Sequence, residues 1–583
     1  MSVIDPRFWI AAAAASLPSL LAYNVSPSPT FLNQALALAL WGAFVAVTAP
    51  AAPGRGPAPL LAALGLVGVA VGWSWGPGAL PSTLALSAIG LLAATAVVVA
   101  GAAGAAARPD AQDLFAAFCW AWLVAGLCNV GLALVQVFLP ELPDGEWVAR
   151  SGVAGRAVGN LRQPNHLSSL LLWACIATVA LVEMGRLGRR VGAAALAALV
   201  FAVVLTASRT GLLSVLLLAS WGAVDRRLAR PTRWLLLATP LVYAAGWLGM
   251  AQWAAALQHT FGGAARLAES DISGSRFAIW ANTLELIRQH PWTGVGFGEF
   301  NLAWTLTPFP GRPVAFFDHT HNLPLQLFVE LGLPLAAAVT ALLLWALVRG
   351  LRQAWSTEGD IGTAQRAAML MVSMIGLHSL LEYPLWYSYF LLPAAWAWGF
   401  ALRSPPEAGA SAPVPASSRA APGLALAGMA LVAGAVWSVV DYARVAAIFS
   451  ASPGAAPLEQ RIADGRHSVF FGHHADYAAV TSGVDLPDPA HAFDRATHYL
   501  LDTRLMIAWA QALAAQGQMD EARYLAQRLR EFRNPSAAEF FEPCEATAAA
   551  AAPVASAASA PPFQCELPTR QPGWRAYVPG GTR

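Results

Sequence analysis

The chain has 583 residues, 57% of them apolar and only 12% charged, against about 25% charge in a soluble domain. Arginine is the only basic side chain besides histidine, and 35 basic residues against 33 acidic ones leave a net charge of +2. So low a charge content excludes a disordered chain and points to a polytopic membrane protein, and so even a balance argues against nucleic acid as a partner.

A helix that crosses a bilayer needs roughly 20 mostly apolar residues. Such runs fall near 8–24, 31–50, 58–76, 83–107, 112–139, 166–184, 191–207, 210–224, 233–252, 322–348, 366–386, 388–402 and 421–440, so the sequence predicts an all-α bundle of about 13 spans. The first run has neither a basic stretch before it nor a small-residue cleavage site after it, which reads as no removable signal peptide. Short cytoplasmic loops collect Arg. Placing the N-terminus inside puts Arg55, Arg108, the clusters at 186–190, 226–233 and 349–352, Arg403 and Arg419 in the cytoplasm. It then places 140–165, the turn at 208–210, the loop 253–321 and everything after 441 outside.

The outer segments carry the informative side chains. At the mouth of a span stand Arg162, Gln163, Pro164, Asn165 and His166, with Pro164 suited to a first helical turn. The competing reading there is helix capping and interfacial anchoring. Arg209, in Ser208-Arg209-Thr210-Gly211, is costly near bilayer depth unless paired or facing a water-filled cavity. No acidic residue is near it in sequence, so an anionic ligand is a plausible counter-charge; a snorkelling surface Arg is the bland alternative. Arg276 follows Ser273-Gly274-Ser275 and is expected in the first turn of a helix, where the dipole also favours an anion. Phe277, Trp280, Leu284 and Ile287 should share one face of that helix.

Gly294-Val295-Gly296-Phe297-Gly298 lacks the strand, Lys and Ser/Thr of a nucleotide loop. It reads instead as a tight turn that lets backbone approach a ligand or another helix. Asp318-His319-Thr320-His321-Asn322 comes directly before an apolar run. No further ligands match in spacing and no HExxH-type helix is present, so no metal is expected. An imidazole at the membrane–water boundary is suited to general-base work near neutral pH, or else to capping the next helix. Tyr383, beside Glu382 at an outer helix end, is a candidate hydrogen-bond donor to a ligand.

The last part differs. Residues 441–583 hold 27 charged side chains, about twice the density of the preceding chain, and their helical patterning predicts two amphipathic helices joined at Gly517. Leu500, Leu501, Leu505, Ile507 and Trp509 would line one face, and Ala522, Leu525 and Leu529 the other. Ser404–Pro422 reads as a flexible cytoplasmic linker. Cys119, Cys128 and Cys175 lie in apolar runs as packing residues. Cys544 and Cys565 flank an Ala/Pro/Ser-rich stretch; an oxidising compartment lets them pair, and two free thiols is the other reading.

These stretches together resemble the bacterial O-antigen ligase/polymerase superfamily. Within it they are most similar to the protein O-oligosaccharyltransferases that glycosylate pilins and other exported proteins (the PglL type). The resemblance rests on Asn160–His166, Ser208–Gly211, Gly274–Arg276, Gly294–Phe300, His321-Asn322-Leu323 and Glu330-Leu331-Gly332. It implies a bacterial inner-membrane enzyme that transfers a preassembled glycan from undecaprenyl pyrophosphate, on the periplasmic side, without metal, nucleotide or other cofactor. The acceptor is a Ser or Thr hydroxyl of a pilin-like protein, a lipid A-core sugar for a ligase, or another lipid-linked glycan for a polymerase. In this frame His321 accepts or orients the acceptor proton, and Arg209 and Arg276 hold the pyrophosphate. Gln163, Tyr383, Arg162, Asn322, His319 and His166 position substrates. The expected organisation is N-terminal spans over 1–140, a ligase-like catalytic membrane core over 141–402, a linker over 403–420, a last span over 421–440 and a repeat-like periplasmic domain over 441–583. A transporter or flippase is the remaining alternative; it would carry ionisable residues at mid-membrane and repeated broken helices.

Overall fold

A computed structural model describes residues 5–48, 56–78, 80–263, 272–309, 311–403, 422–484, 488–550 and 561–577. The expected linker falls almost wholly on 404–421, outside the described residues, as do Arg55 and Arg419.

The chain is helical throughout these residues, with no strand among them. In order come α1 (Pro6–Leu20), α2 (Phe31–Thr48), α3 (Ala58–Trp75), α4 (Ser82–Ala105), α5 (Ala111–Phe138), α6 (Pro164–Glu183), α7 (Arg189–Thr206), α8 (Arg209–Val224) and α9 (Arg230–Leu257). There follow α10 (Ile272–Gln289), α11 (Phe300–Leu306), α12 (Leu323–Ser356), α13 (Gly359–Ser379), α14 (Ser388–Ala401) and α15 (Pro422–Phe449). The C-terminal part adds α16 (Leu458–Gly465), α17 (Gly472–Thr481), α18 (Pro489–Ala496), α19 (Thr503–Ala515), α20 (Met519–Phe532) and α21 (Ala538–Ala550).

Each of the thirteen apolar runs coincides with a helix. Nine of these helices among the described residues are long and apolar enough to cross a membrane: α2–α7, α9, α12 and α15. Helices α1, α8 and α14 are shorter, and α13 is less apolar. A helix satisfies its own backbone groups, which hydrocarbon cannot do, so long apolar runs can only fold this way. The protein is a multi-pass membrane protein.

The chain divides into two compact units. The first comprises 1–65, 90–270 and 340–439. Its axis is α6, whose membrane-length window is 94% buried. Helix α5 packs on α1, α6 and α7, and α6 also packs on α8 and α13. The rings of Phe115, Phe118, Trp122, Trp173 and Trp396 form its aromatic centre. Helices α2 and α15 approach through glycines: a methyl on Gly42 would meet the Gly428 carbonyl at 2.8 Å, and one on Gly428 would meet the Gly42 carbonyl at 2.6 Å. Small residues at such crossings let backbones pack closely where no hydrophobic driving force separates helix from lipid. At the end of α8 remote from Arg209, the buried Asp225 carboxylate accepts from Arg366 at 2.7 Å and from Trp221 Nε1 at 3.1 Å. A buried charge is tolerated only with partners of this kind. Of the three cysteines expected as packing residues, Cys119 and Cys175 are buried, but Cys128 is exposed on α5.

The second unit comprises 66–89, 271–339 and 440–583. Its core joins Ile279, Leu286, Phe300, Trp304 and Val329 to Leu505, Trp509, Leu525, Leu529 and Phe532. Helices α19 and α20 form the expected hairpin, turning at Gly517 with φ +79°. Leu501, Leu505 and Trp509 line it as expected, whereas Leu500 and Ile507 are only half-buried. Asp502 caps α19 by accepting from Leu505 N at 2.9 Å, and the Tyr524 hydroxyl donates to Leu306 O at 2.6 Å. Arg312 is fully buried beneath this hairpin. It donates to the Thr305 carbonyl at 3.1 Å, pairs with Glu531 at 3.2 Å and lies 4.5 Å from the centre of the Phe532 ring. Burial lowers its pKa to about 10, partly offset by Glu531. Cys544 and Cys565 are joined in a disulfide.

Candidate functional site

Arg162, Gln163, His166, Arg209 and Tyr383 belong to the first unit, and Arg276, His319, His321 and Asn322 to the second.

In the first unit, Pro164 opens α6 and Gln163 is its N-cap, its side-chain oxygen accepting from His166 N at 2.8 Å. Capping satisfies a backbone donor that the helix leaves without an intrahelical partner. Arg162 holds a left-handed backbone (φ +59°). Its guanidinium donates to the Ala22 and Pro29 carbonyls at 2.6 and 3.2 Å, pinning the α1–α2 connection. His166 is buried on α6, 3.2 Å from the Tyr389 hydroxyl and edge-on to the Tyr387 ring.

The α7–α8 turn bears Arg209. Ala207 closes α7 in a left-handed conformation and Ser208 caps α8, accepting from Gly211 N at 2.9 Å. Arg156 fastens this turn from outside by donating to Thr206 O at 2.9 Å. Arg209 is the first residue of α8 and is exposed. The α6 and α8 termini meet through Asn165, whose side-chain oxygen accepts from the Ser208 hydroxyl at 2.6 Å. The amide nitrogen of Asn165 donates to Glu382 at 3.1 Å, in the turn that carries Tyr383. Tyr383 is half-buried, its ring stacked near Tyr387. Three candidate segments distant in sequence therefore converge here.

In the second unit, α10 starts at Ile272, so Arg276 falls in its second turn, later than the first turn expected. The face also differs. Ile279, Thr283 and Leu286 form the buried stripe, Trp280 and Ile287 are half-buried, and Phe277 and Leu284 stay exposed. The packed stripe is rotated by one residue because the core of this unit contacts α10 from that side. Trp280, one turn beyond Arg276 on the same helix face, donates its indole N–H to Thr320 O at 2.9 Å. That bond joins the Arg276 helix to the loop of His321.

The loop is pinned on its other side as well. Thr320 N donates to Gln326 Oε1 at 2.8 Å, and Asn322 caps α12 by accepting from Leu325 N at 3.0 Å. His321 is half-buried with a left-handed backbone (φ +54°), its ring edge-on to Phe317 at 5.3 Å. His319 pairs with Asp318 at 3.0 Å. Crowding by the loop opposes ionisation of Asp318, yet His319 and then His321 hold its carboxyl below the usual carboxylate range. Among the described residues no group of three or more His, Cys, Asp or Glu side chains could hold a metal ion.

The glycine motif packs against another helix. Val295 N donates to Val329 O at 2.8 Å and Gly296 N to Glu330 O at 3.0 Å. Helix α12 breaks at Gly332 (φ +74°, ψ +166°). A Cβ on Gly294 would stand 2.4 Å from Glu330 O, and one on Gly332 2.4 Å from Trp292 O. The Gly294–Phe300 and Glu330–Gly332 motifs are thus the two sides of one contact that sets the entry of α12 below His321.

Sequence reading missed Asn165 and Ser208 as joints, along with Trp280 and Gln326. Asn165 and Trp280 stand within the candidate stretches and Ser208 is legible as a cap, but nothing in the sequence marks any of them, or Gln326, as a joint.

Three family models match parts of the chain. The O-antigen ligase model covers 194–340, which includes Arg209, Arg276 and His321. The protein glycosylation ligase model covers 157–182, which includes Arg162, Gln163 and His166. The C-terminal model of a virulence factor membrane-bound polymerase covers 366–540. The general O-oligosaccharyltransferase of Acinetobacter baylyi is 29% identical over 270 residues, 44% of this chain and 46% of that protein. The ComP-specific O-oligosaccharyltransferase of the same organism is 26% identical over 292 residues, 48% of this chain and 50% of that protein. The chain spans about half the length of these relatives. The resemblance to O-antigen ligases and to protein glycosylation ligases is borne out on the segments that suggested it.

Proposed function

We propose that this protein transfers a preassembled glycan from undecaprenyl pyrophosphate to Ser or Thr hydroxyls of pilin-like or other exported proteins. It does so in the bacterial inner membrane, with its active residues and the part after 441 facing the periplasm. One observation carries the reading: a ligase-like segment with Arg209, Arg276 and His321 shares the chain with a protein-glycosylation segment around Gln163.

In this reaction His321 takes the acceptor O–H proton as the oxygen bonds to C1 of the donor sugar. The bond between C1 and the diphosphate oxygen breaks, and its electron pair leaves with the diphosphate. Arg209 and Arg276 meet that charge with planar, permanently protonated forks suited to phosphate. Electrostatic stabilisation of this kind commonly contributes the largest share of catalysis. Gln163, Tyr383 and Asn322 orient the substrates, with Arg162, His319 and His166 in support.

The test is expression in cells carrying a defined lipid-linked glycan together with a pilin-like protein and a lipid A-core acceptor. Glycan on the protein supports the proposal. Glycan on lipid A-core alone would replace it with a ligase, and altered glycan chain length alone with a polymerase.

A further inference from the structure

The Asn165 side chain does more than decorate a helix start. It is buried (7% exposed), as are Ser208 (1%) and Glu382 (7%). The Ser208 hydroxyl donates to Asn165 Oδ1 at 2.6 Å and accepts from Gly211 N at 2.9 Å, while the Ser168 hydroxyl stands 3.2 Å away. Its one proton is committed to Asn165 and one lone pair to the Gly211 amide, while the Ser168 hydroxyl also reaches Asn165 O at 2.9 Å. The orientation of the Asn165 amide is also chemically determined. Turned over, its oxygen would face the Glu382 carboxylate, acceptor against acceptor; as it stands, Nδ2 donates to Glu382 at 3.1 Å.

The chain of bonds is therefore directional. It runs from the Glu382 carboxylate through the Asn165 amide and the Ser208 hydroxyl to the first-turn amide of α8. Arg209 sits between the last two links, at the first position of that helix. Tyr383 follows the first link directly, and Gln163 caps the helix that bears Asn165.

We infer that Asn165 is a positioning residue. It clamps the N-terminus of α8, and with it the backbone origin of Arg209, in register with the Gln163 cap and the Tyr383 turn. This deepens the proposed function, since it rests on Arg209 contacting the donor diphosphate. Buried polar networks that are fully satisfied rigidify their surroundings, and they fail sharply when one member is mismatched. Misplacing a binding group by a fraction of an ångström to an ångström is enough to slow a reaction substantially.

The experiment uses the purified full chain in lipid nanodiscs with a polyprenyl-diphosphate glycan and a Ser-containing acceptor. N165D keeps an acceptor for Ser208 but sets two carboxylates face to face. Its turnover should fall on the order of tenfold or more, with a raised KM for the donor. E382Q alone should fall between wild type and N165D. The double variant N165D/E382Q rebuilds an amide–carboxylate pair in the opposite sense and should recover to within about threefold of wild type. Hydrogen exchange at the Gly211 amide should rise in N165D and fall back in the double variant. Turnover and donor KM are compared per folded protein, so a loss of fold alone moves neither.

The inference is overturned if N165D matches wild type in transfer, or if N165D/E382Q is no better than N165D at equal folded yield. Should wild type transfer no glycan to any acceptor, the proposed function falls instead, and the Gly211 exchange series still decides whether the clamp exists.

Discussion

The candidate residues of the two units are held in different ways. In the first, Gln163, Arg209 and Tyr383 are tied by side chains bonding to side chains, through Asn165, Ser208 and Glu382. In the second, His321 is held mainly through side chains bonding to backbone: Trp280 to Thr320 O, Gln326 to Thr320 N, Asn322 to Leu325 N. A side-chain network encodes position in a few functional groups and is broken by single polar substitutions. A backbone-held loop encodes position in φ/ψ values and glycines, and leaves the functional side chain itself replaceable without loss of fold.

The largest effect follows from that contrast, applied to two histidines that the sequence presents alike. His321→Ala should lower transfer by about 10²–10⁴-fold, the usual worth of a positioned general base. Its heat stability should fall by less than that of His166→Ala, because the His321 ring is only half-buried. His166→Ala should lose stability first. It empties a buried position between the Tyr387 and Phe390 rings and strands the Tyr389 hydroxyl. A cost of about 2–4 kcal/mol is expected from cavity and lost hydrogen bond together. Parallel transfer assays and thermal inactivation of both variants check the pair. A His166→Ala protein that is stable but inactive breaks the contrast.

Which parts were legible in the sequence follows the same division. Each apolar run located a helix, nine of them among the described residues long and apolar enough to cross a membrane, where hydrocarbon leaves the backbone little choice. Their ends were less legible. Helix α12 continues to Ser356 past Arg349 and Arg352, and α15 to Phe449 past Asp441 and Arg444, since a helix leaving the bilayer need not stop where charge begins. Arg209 and His321 were legible because a cation or an imidazole at the end of an apolar run needs a reason. Asn165 was not, because an Asn in a first helical turn looks like an ordinary end-of-helix residue. Its role appears only when α8 and the Glu382 turn are brought to it. The glycine motif was legible as a close approach, but its partner at Glu330–Gly332 lies beyond any local pattern.

A smaller but still large effect concerns the backbone-held side. Gly332 occupies a φ/ψ region that only glycine adopts readily, and an added Cβ would stand 2.4 Å from Trp292 O. Gly332→Ala should destabilise the second unit by about 1–3 kcal/mol from strain alone, and should also lower transfer by moving the His321 loop. The control lies in the first unit: Gly376, in α13, has open space around it. Gly376→Ala should be neutral or stabilising by up to about 1 kcal/mol, the usual helix preference for Ala over Gly. Thermal inactivation of the two variants side by side measures this. If both behave alike, the loop is not held by its glycines.

The smallest effect on transfer tests how far the second unit's rigidity extends. The disulfide closes a separation of 21 residues between Cys544 and Cys565. Loop-closure entropy predicts about 3 kcal/mol for a loop near this size. Without it, the 563–565 turn keeps weaker ties: Arg530 to Gln564 O at 3.1 Å and Gln564 to Phe540 O at 3.3 Å. Cys544→Ser should therefore loosen 561–577, seen as faster hydrogen exchange there, and change transfer by less than about twofold. The reasoning is one of separable restraint. His321 is positioned by Trp280, Gln326 and Asn322, and none of these bonds passes through the disulfide-closed segment. A large loss of transfer in Cys544→Ser would mean that the loop takes its geometry from the whole α19–α21 region, and the backbone bonds around Thr320 would then be a consequence of that packing.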